Sequence, residues 1–246
     1  MLVEANGIHV RFGDRVVLEQ VDLQVPEGEL HGIMGPNGAG KTTFFNVLTG
    51  RVKPSRGTIR VAGEDVTGLA PHAIARKGVA RSFQIMTLFD DFTARENVTV
   101  ALPAFRARGF DMGRAVTADA GFAADATEVL AAVGLADKAE TKAKELPYGE
   151  RRALEIAVAL VQKPRVLCLD EPTSGLGSDG TQRLTELVAG LKGRLTIVAI
   201  EHDMGFLFGL ADRISVIHWG QVVARGTPRE LQENEWVKRS NLGRFA

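Results

Sequence analysis

Cysteine is almost missing from this 246-residue sequence: Cys168 stands alone, so no internal disulfide can form and the composition suits a reducing compartment. Net charge is missing too. Thirty basic side chains balance thirty acidic ones, which leaves no global positive field to hold a nucleic-acid backbone by counterion release, and no nucleic-acid partner is expected. No uninterrupted apolar stretch approaches the roughly 20 residues of a spanning helix, and Met1–Asn6 lacks the basic and apolar regions of a signal peptide. The expectation is a chain that reaches a membrane only through a partner. Internal repeats and low-complexity segments are likewise lacking. What is present is 45% apolar content, enough for a substantial buried core.

Hydrophobic patterning organises that content into an α/β arrangement. Gly7–Phe12 and Val16–Val25 alternate, broken by Gly13-Asp14 and closed by Pro26-Glu27-Gly28, which predicts a small antiparallel sheet. Leu30–Met34 is a compact apolar run, followed by a glycine-rich loop and a helix from Thr42 to Thr49 that ends at Gly50. Val166–Leu169, Leu195–Ile200 and Ile214–Ile217 are almost wholly apolar, as expected for parallel strands covered on both faces. From about 85 to 162 the chain is alanine-rich, and this stretch is expected to form a helical subdomain. Thr93 with Glu96 is a capping box, and Ala123–Val133 is a helix closed by Gly134, whereas Ala107–Gly121 has only a weak pattern. Thr227-Pro228-Arg229-Glu230 opens a capped helix, so a helical tail is expected over about 227–246. The whole chain reads as a single domain.

Gly35-Pro36-Asn37-Gly38-Ala39-Gly40-Lys41-Thr42 fits the phosphate-loop pattern, in which glycines let backbone N–H groups close around phosphate and the following helix offers its positive end. By residue frequency the pattern arises by chance in about one such chain in a hundred. Its position between an apolar strand and a helix is the context the motif requires. Lys41 is expected to reach the β- and γ-phosphates and Thr42 to ligate magnesium through its hydroxyl, with Thr43 secondary. Val166–Leu169 runs into Asp170 and Glu171, which puts two carboxylates at the carboxyl edge of the sheet. Asp170 is expected to hold the metal through water, and Glu171 to polarise the attacking water. Alone, the acid pair reads equally well as a polar turn. Cys168 reads as a packing residue.

With these motifs, five further segments occur in an order that resembles the ABC ATPases, and the resemblance covers nearly the whole chain. It implies a P-loop NTPase (RecA-like) core carrying a small antiparallel β subdomain and a helical subdomain. ATP and Mg2+ are the implied ligands. Phe12 is similar to the aromatic that stacks on adenine, Gln84 to the glutamine that meets magnesium and the membrane subunit, and His202 to the histidine on the γ-phosphate. Leu146-Pro147-Tyr148-Gly149-Glu150 stands at the signature loop and Ser174-Gly175-Leu176-Gly177 at the D-loop. Glu171, His202 and Lys41 are thus the implied catalytic residues. Phe12, Gly35, Asn37, Gly38, Ala39, Gly40, Lys41, Thr42, Thr43, Gln84, Tyr148, Gly149 and Glu150 are the implied nucleotide contacts, and Thr42, Gln84 and Asp170 the metal ligands. Two departures stand out: Pro147 replaces the usual signature serine, and Gly177 the D-loop aspartate, with Asp179 off register. Gly149 and a helix starting near Glu150 still offer backbone donors.

Val79-Ala80-Arg81-Ser82-Phe83-Gln84, Leu88-Phe89, Glu96-Asn97-Val98 and Arg151-Arg152-Ala153-Leu154-Glu155-Ile156-Ala157 resemble the branched-chain amino acid importer ATPases and their urea or amide relatives, as does the stretch from Glu235-Trp236 to Asn241-Leu242-Gly243. That resemblance implies an ATPase on the cytoplasmic face of the inner membrane, peripheral, working as a homo- or heterodimer with a second ATPase subunit. Its further partners are transmembrane permease subunits and, indirectly, an extracytoplasmic substrate-binding protein. A permease helix is expected to dock where Ile85, Met86, Leu88, Phe89 and Phe92 cluster, although core packing explains those residues equally well. The alternatives are a lipopolysaccharide-type export ATPase, with which Pro71-His72 and Ala75-Arg76 are shared, and a soluble ABC ATPase outside transport.

Overall fold

The computed structural model describes residues 1–82, 88–103 and 120–239. β1 (Val3–Phe12) and β2 (Arg15–Val25) pair antiparallel, and with β4 (Arg56–Val61) and β5 (Glu64–Asp65) they form a four-stranded sheet in the order β2-β1-β4-β5. A six-stranded sheet follows the order β10-β9-β3-β8-β7-β6, built from β3 (Leu30–Met34), β6 (Val79–Arg81), β7 (Val166–Asp170), β8 (Thr196–Ile200), β9 (Arg213–His218) and β10 (Gln221–Gly226). Every neighbouring pair in it is parallel except β9 with β10.

The central strands are buried from end to end because each face has its own cover. Side chains alternate across the sheet. Val166, Cys168, Val198 and Ile200 pack with the antiparallel sheet and with α1 (Lys41–Leu48) through Phe44 and Phe45. Leu167, Leu169, Ile197 and Ala199 face the other way, onto α5 (Tyr148–Leu160), α6 (Ser178–Leu191) and α7 (Met204–Leu210).

The remaining helices are short. α2 (Pro71–Arg76) precedes β6, and α3 (Ala94–Thr99) opens on the expected capping box, with Thr93 Oγ1 accepting from the Glu96 N–H and the Glu96 carboxylate accepting from the Thr93 N–H. α4 (Ala120–Ala132) begins three residues before the expected start and packs on α3 and α5. α8 (Pro228–Glu233) has the same reciprocal cap between Thr227 and Glu230. α9 (Glu235–Arg239) follows it, and Trp236 meets the His218 ring edge-on at 5.2 Å. The expected positions of Gln84 and of Asn241-Leu242-Gly243 lie outside the described residues, as does most of Ala107–Gly121.

A second boundary also differs from the sequence reading. α5 starts at Tyr148, not near Glu150: Pro147, with φ −53° and ψ 153°, is its N-cap, and its carbonyl accepts from Glu150 and Arg151 N–H at 2.9 and 3.0 Å. The ring fixes φ and the missing N–H costs nothing there, since the first N–H groups of a helix have no intrahelical partner.

Candidate functional site

The loop between β3 and α1 closes on itself. Lys41 is buried, and its ammonium donates to Gly35 O at 2.7 Å and Pro36 O at 3.1 Å. Burial pushes its pKa below the ordinary lysine value, with Glu171 and then Asp170 pulling it back up. Gly35 has φ 152°, and a Cβ there would lie 2.0 Å from Ile217 O. The β9 backbone leaves no room for any side chain at that position. Gly40, at φ 103°, is closed in by Leu18 and Val17 of β2, whereas Gly38 faces open space.

That open space is a cleft of about 300 Å³ lined by Arg15, Val17, Asn37, Gly38, Gly40, Lys41, Thr42, Thr43 and Glu171. Backbone N–H groups at the start of α1, the Lys41 ammonium and the Thr42 hydroxyl make it a site for a polyphosphate. Arg15 was not anticipated from sequence. It pairs across the β1–β2 turn with Phe12, which is 54% exposed and is not among the residues that line the cleft. Ala39 is buried beneath the loop.

At the other wall, β7 ends in Asp170, buried, and Glu171, mostly shielded and held at φ 47°. A positive φ is strained for glutamate and has to be imposed by its surroundings. The Glu171 N–H donates to Ile200 O at 2.9 Å, and its carbonyl accepts from Ser174 N–H at 3.1 Å and from Arg152 Nη2 at 3.4 Å. Arg152, buried on α5, is ion-paired to Glu155 one turn on at 2.7 Å. His202, at the end of β8, brings Nδ1 to 3.5 Å from Glu171 Oε1. Asp170 Oδ2 is paired at 2.5 Å with Arg81 Nη2, and Arg81 Nη1 reaches Asn46 Oδ1 and Thr49 Oγ1 of α1 at 2.7 and 2.9 Å.

For magnesium, the donor set on offer is the Thr42 hydroxyl and the carboxylates of Asp170 and Glu171. Among the described residues no cluster of three His, Cys, Asp or Glu side chains forms a protein-only cage. Few protein oxygens completed by phosphate and water is the arrangement this hard cation takes, so the residues fit it.

The predicted residues thus fall into two groups. Asn37, Gly38, Gly40, Lys41, Thr42, Thr43 and Glu171 line one cleft, with His202 and Asp170 beside it. Pro147, Tyr148, Gly149 and Glu150 do not line that cleft. Tyr148 leans on the D-loop instead, its hydroxyl donating to Ser174 O at 3.2 Å, and Glu150 pairs with Lys138. Pro147, Gly149 and Glu150 face a separate groove of about 630 Å³ shared with Asp179, Gly180 and Arg183 of α6. A third groove, about 340 Å³, lies on the helical side and is lined by Leu88, Phe89, Arg81, Asn97, Glu155 and Val158 among others, and Phe89 is 56% exposed there. Phe92 stacks on Phe89 at a ring separation of 5.0 Å, while Ile85 and Met86 lie outside the described residues.

Arg81, Arg152 and Glu201 are further polar groups that sequence reasoning did not single out. Glu201 is fully buried after β8 and gathers bonds from both Thr173 and the His202 loop. Its signal in the sequence is an acid directly after an apolar strand and directly before the histidine.

Comparison with known proteins identifies the family. The profile of the ABC transporter family matches residues 18–174. The chain is 41% identical to the high-affinity branched-chain amino acid transport ATP-binding protein LivG of Salmonella typhimurium, over 98% of both chains. It is 40% identical to the corresponding BraF protein of Pseudomonas aeruginosa, again over 98% of both. Among solved structures, an ATP-binding cassette of an ABC transporter in its ADP conformation superposes with a TM-score of 0.87 at 25% identity, covering 98% of each chain.

Proposed function

This chain belongs to the ABC transporter family as one of its ATP-hydrolysing subunits, and from that premise we propose that it powers the uptake of branched-chain amino acids or closely related substrates. The observation that carries the proposal is full-length similarity: the relatives at 40 and 41% identity match over 98% of their length, and both are named for branched-chain amino acid transport.

In this reading the phosphate loop binds ATP through the N–H groups of Gly38 and Gly40 and the hydroxyls of Thr42 and Thr43, with Asn37 and Ala39 shaping the loop around Gly35. Phe12 stacks on the base. Lys41 leaves the carbonyls of Gly35 and Pro36 for the β- and γ-phosphates, a move that exchanges two neutral acceptors for charged ones. Glu171 accepts a proton from the attacking water, and His202, 3.5 Å from it, steadies the γ-phosphate. Thr42 and Asp170, with Gln84, would hold magnesium, which would supply charge neutralisation at the phosphates.

The signature residues Tyr148, Gly149 and Glu150 lie away from this cleft, so we assign them to the γ-phosphate bound by a second ATPase subunit, identical or different. Pro147 gives no hydroxyl, but as the N-cap of α5 it leaves the N–H groups of Tyr148 and Gly149 at the positive end of a 13-residue helix. The groove with the exposed Phe89 is where a permease helix docks, at the cytoplasmic face of the membrane, with a substrate-binding protein delivering cargo from the other side. The test is uptake by proteoliposomes that contain the chain with its copurifying membrane subunits, supplied with the substrate-binding protein on the opposite side. Labelled leucine, isoleucine or valine should accumulate only with ATP inside the compartment that this subunit faces. An assembly that hydrolyses ATP but moves none of the three in either direction would overturn the assignment.

A further inference from the structure

We propose that Glu201 is a positioning residue for hydrolysis, which holds the loop carrying His202 in fixed relation to the loop that follows Glu171. The proposal rests on ATP turnover at the site described above. The Glu201 carboxylate is 0% exposed and splits its two oxygens between two loops. One oxygen, Oε1, accepts from the Thr173 N–H at 2.7 Å and the Thr173 hydroxyl at 2.6 Å, while Oε2 accepts from the N–H groups of His202 at 3.0 Å and Asp203 at 3.3 Å. Among the described residues these four donors, rather than a cation, satisfy it.

The bonds close a circuit. Glu171 is tied through its N–H to Ile200 O, the residue before Glu201, and through its carbonyl to Ser174 N–H, the residue after Thr173. His202 then meets Glu171 across the gap at 3.5 Å. A free His202 loop would swing on its own β8 terminus, because His202 itself is half exposed and makes no other side-chain bond among the described residues. Asp203 extends the hold into α7, where its carboxylate caps the Phe206 N–H at 2.9 Å. No side-chain bond of Glu201 goes to the phosphate loop, so its influence falls on the geometry of hydrolysis and not on the binding of ATP.

The oxygens of a carboxylate suit this place because they accept from all four groups. All four partners are donors, and an amide would turn its own N–H₂ group toward one pair of them. Glu201→Gln keeps the shape and breaks one half of the clasp. In the assembled transporter it should lower kcat on the order of ten- to a hundredfold, while KM and the equilibrium affinity for ATP stay within about twofold. Because the effect passes through His202, the same substitution in a His202→Ala background should change kcat by less than about twofold more. Thr173→Val, which removes a single hydroxyl donor with little change of shape, should give a smaller loss of kcat with normal ATP affinity, and it carries the test if Glu201→Gln fails to fold. An unchanged kcat in Glu201→Gln would overturn the proposal. So would full multiplicative losses in the His202→Ala background, or parallel losses of kcat and ATP affinity in Thr173→Val. A wild-type assembly that turns over no ATP would instead overturn the hydrolytic reading beneath it.

Discussion

Replacing Arg81 by methionine should destabilise the chain far more than its surface arginines would suggest. The Arg81 and Asp170 side chains are 8% and 3% exposed, with 2.5 Å between Nη2 and Oδ2. Removing the guanidinium strands a carboxylate in the interior, and breaking a buried pair in this way costs about 3–5 kcal/mol even where the intact pair adds little net stability. Asn46 Oδ1 and Thr49 Oγ1 lose a donor as well. In a chain of this size about 1 kcal/mol moves Tm by roughly 2–4 °C, so Tm of the nucleotide-free protein should fall by about 6–20 °C. Circular dichroism melts of wild type, Arg81→Met and Arg81→Met/Asp170→Asn read this directly. The double variant, which has no charge to strand, should recover at least half of the loss. A single variant within about 1 kcal/mol of wild type, or a double variant no better than the single, would refute the buried-charge argument.

Other consequences are independent of that pair. Cys168 is completely buried and burial pushes its thiol up to about 12, so it should resist alkylation by iodoacetamide at pH 8 in the native protein and react promptly in guanidinium, as followed by mass spectrometry. Gly35→Ala would drive a methyl group against Ile217 O at 2.0 Å, which predicts loss of ATP binding by equilibrium titration, and retention of wild-type affinity would show that the loop relaxes freely. Pro147→Ser adds a hydroxyl at the N-cap of α5 without disturbing the carbonyl that caps it, and should keep or raise ATP turnover in the assembled dimer; a large loss would contradict the N-cap account.

The elements with strong local signals were legible in the sequence. Leu30–Met34, Val166–Leu169 and Ile214–Ile217 are apolar apart from His31 and Ser215, which bond to each other, because both faces of their sheet are covered, and the boxes at Thr93 and Thr227 announce helix starts through chemistry that does not depend on tertiary context. β6 is three residues long and β5 two, too short to carry a period, and in β10 the adjacent Val222, Val223 and Ala224 hide the alternation that its burial follows. The phosphate loop, Asp170 and Glu171 were legible from spacing, since a loop between strand and helix is local. Their supports were not. Arg81 reaches Asp170 across 89 positions, Glu201 reaches Thr173 across 28, and Arg152 meets Glu171 across 19, so only the fold brings each pair together. The same holds for Pro147, where the sequence revealed the lost hydroxyl but not that the ring would become the helix cap.

The central claim, that Glu171 activates water for ATP hydrolysis in a transporter subunit, is tested most directly by steady-state phosphate release from the purified assembly with wild-type or Glu171→Gln chain, alongside ATP affinity for each. Turnover should fall by at least about a hundredfold in the variant while ATP binding persists, because Lys41 and the phosphate loop are untouched. Equal phosphate release from the two proteins would contradict it.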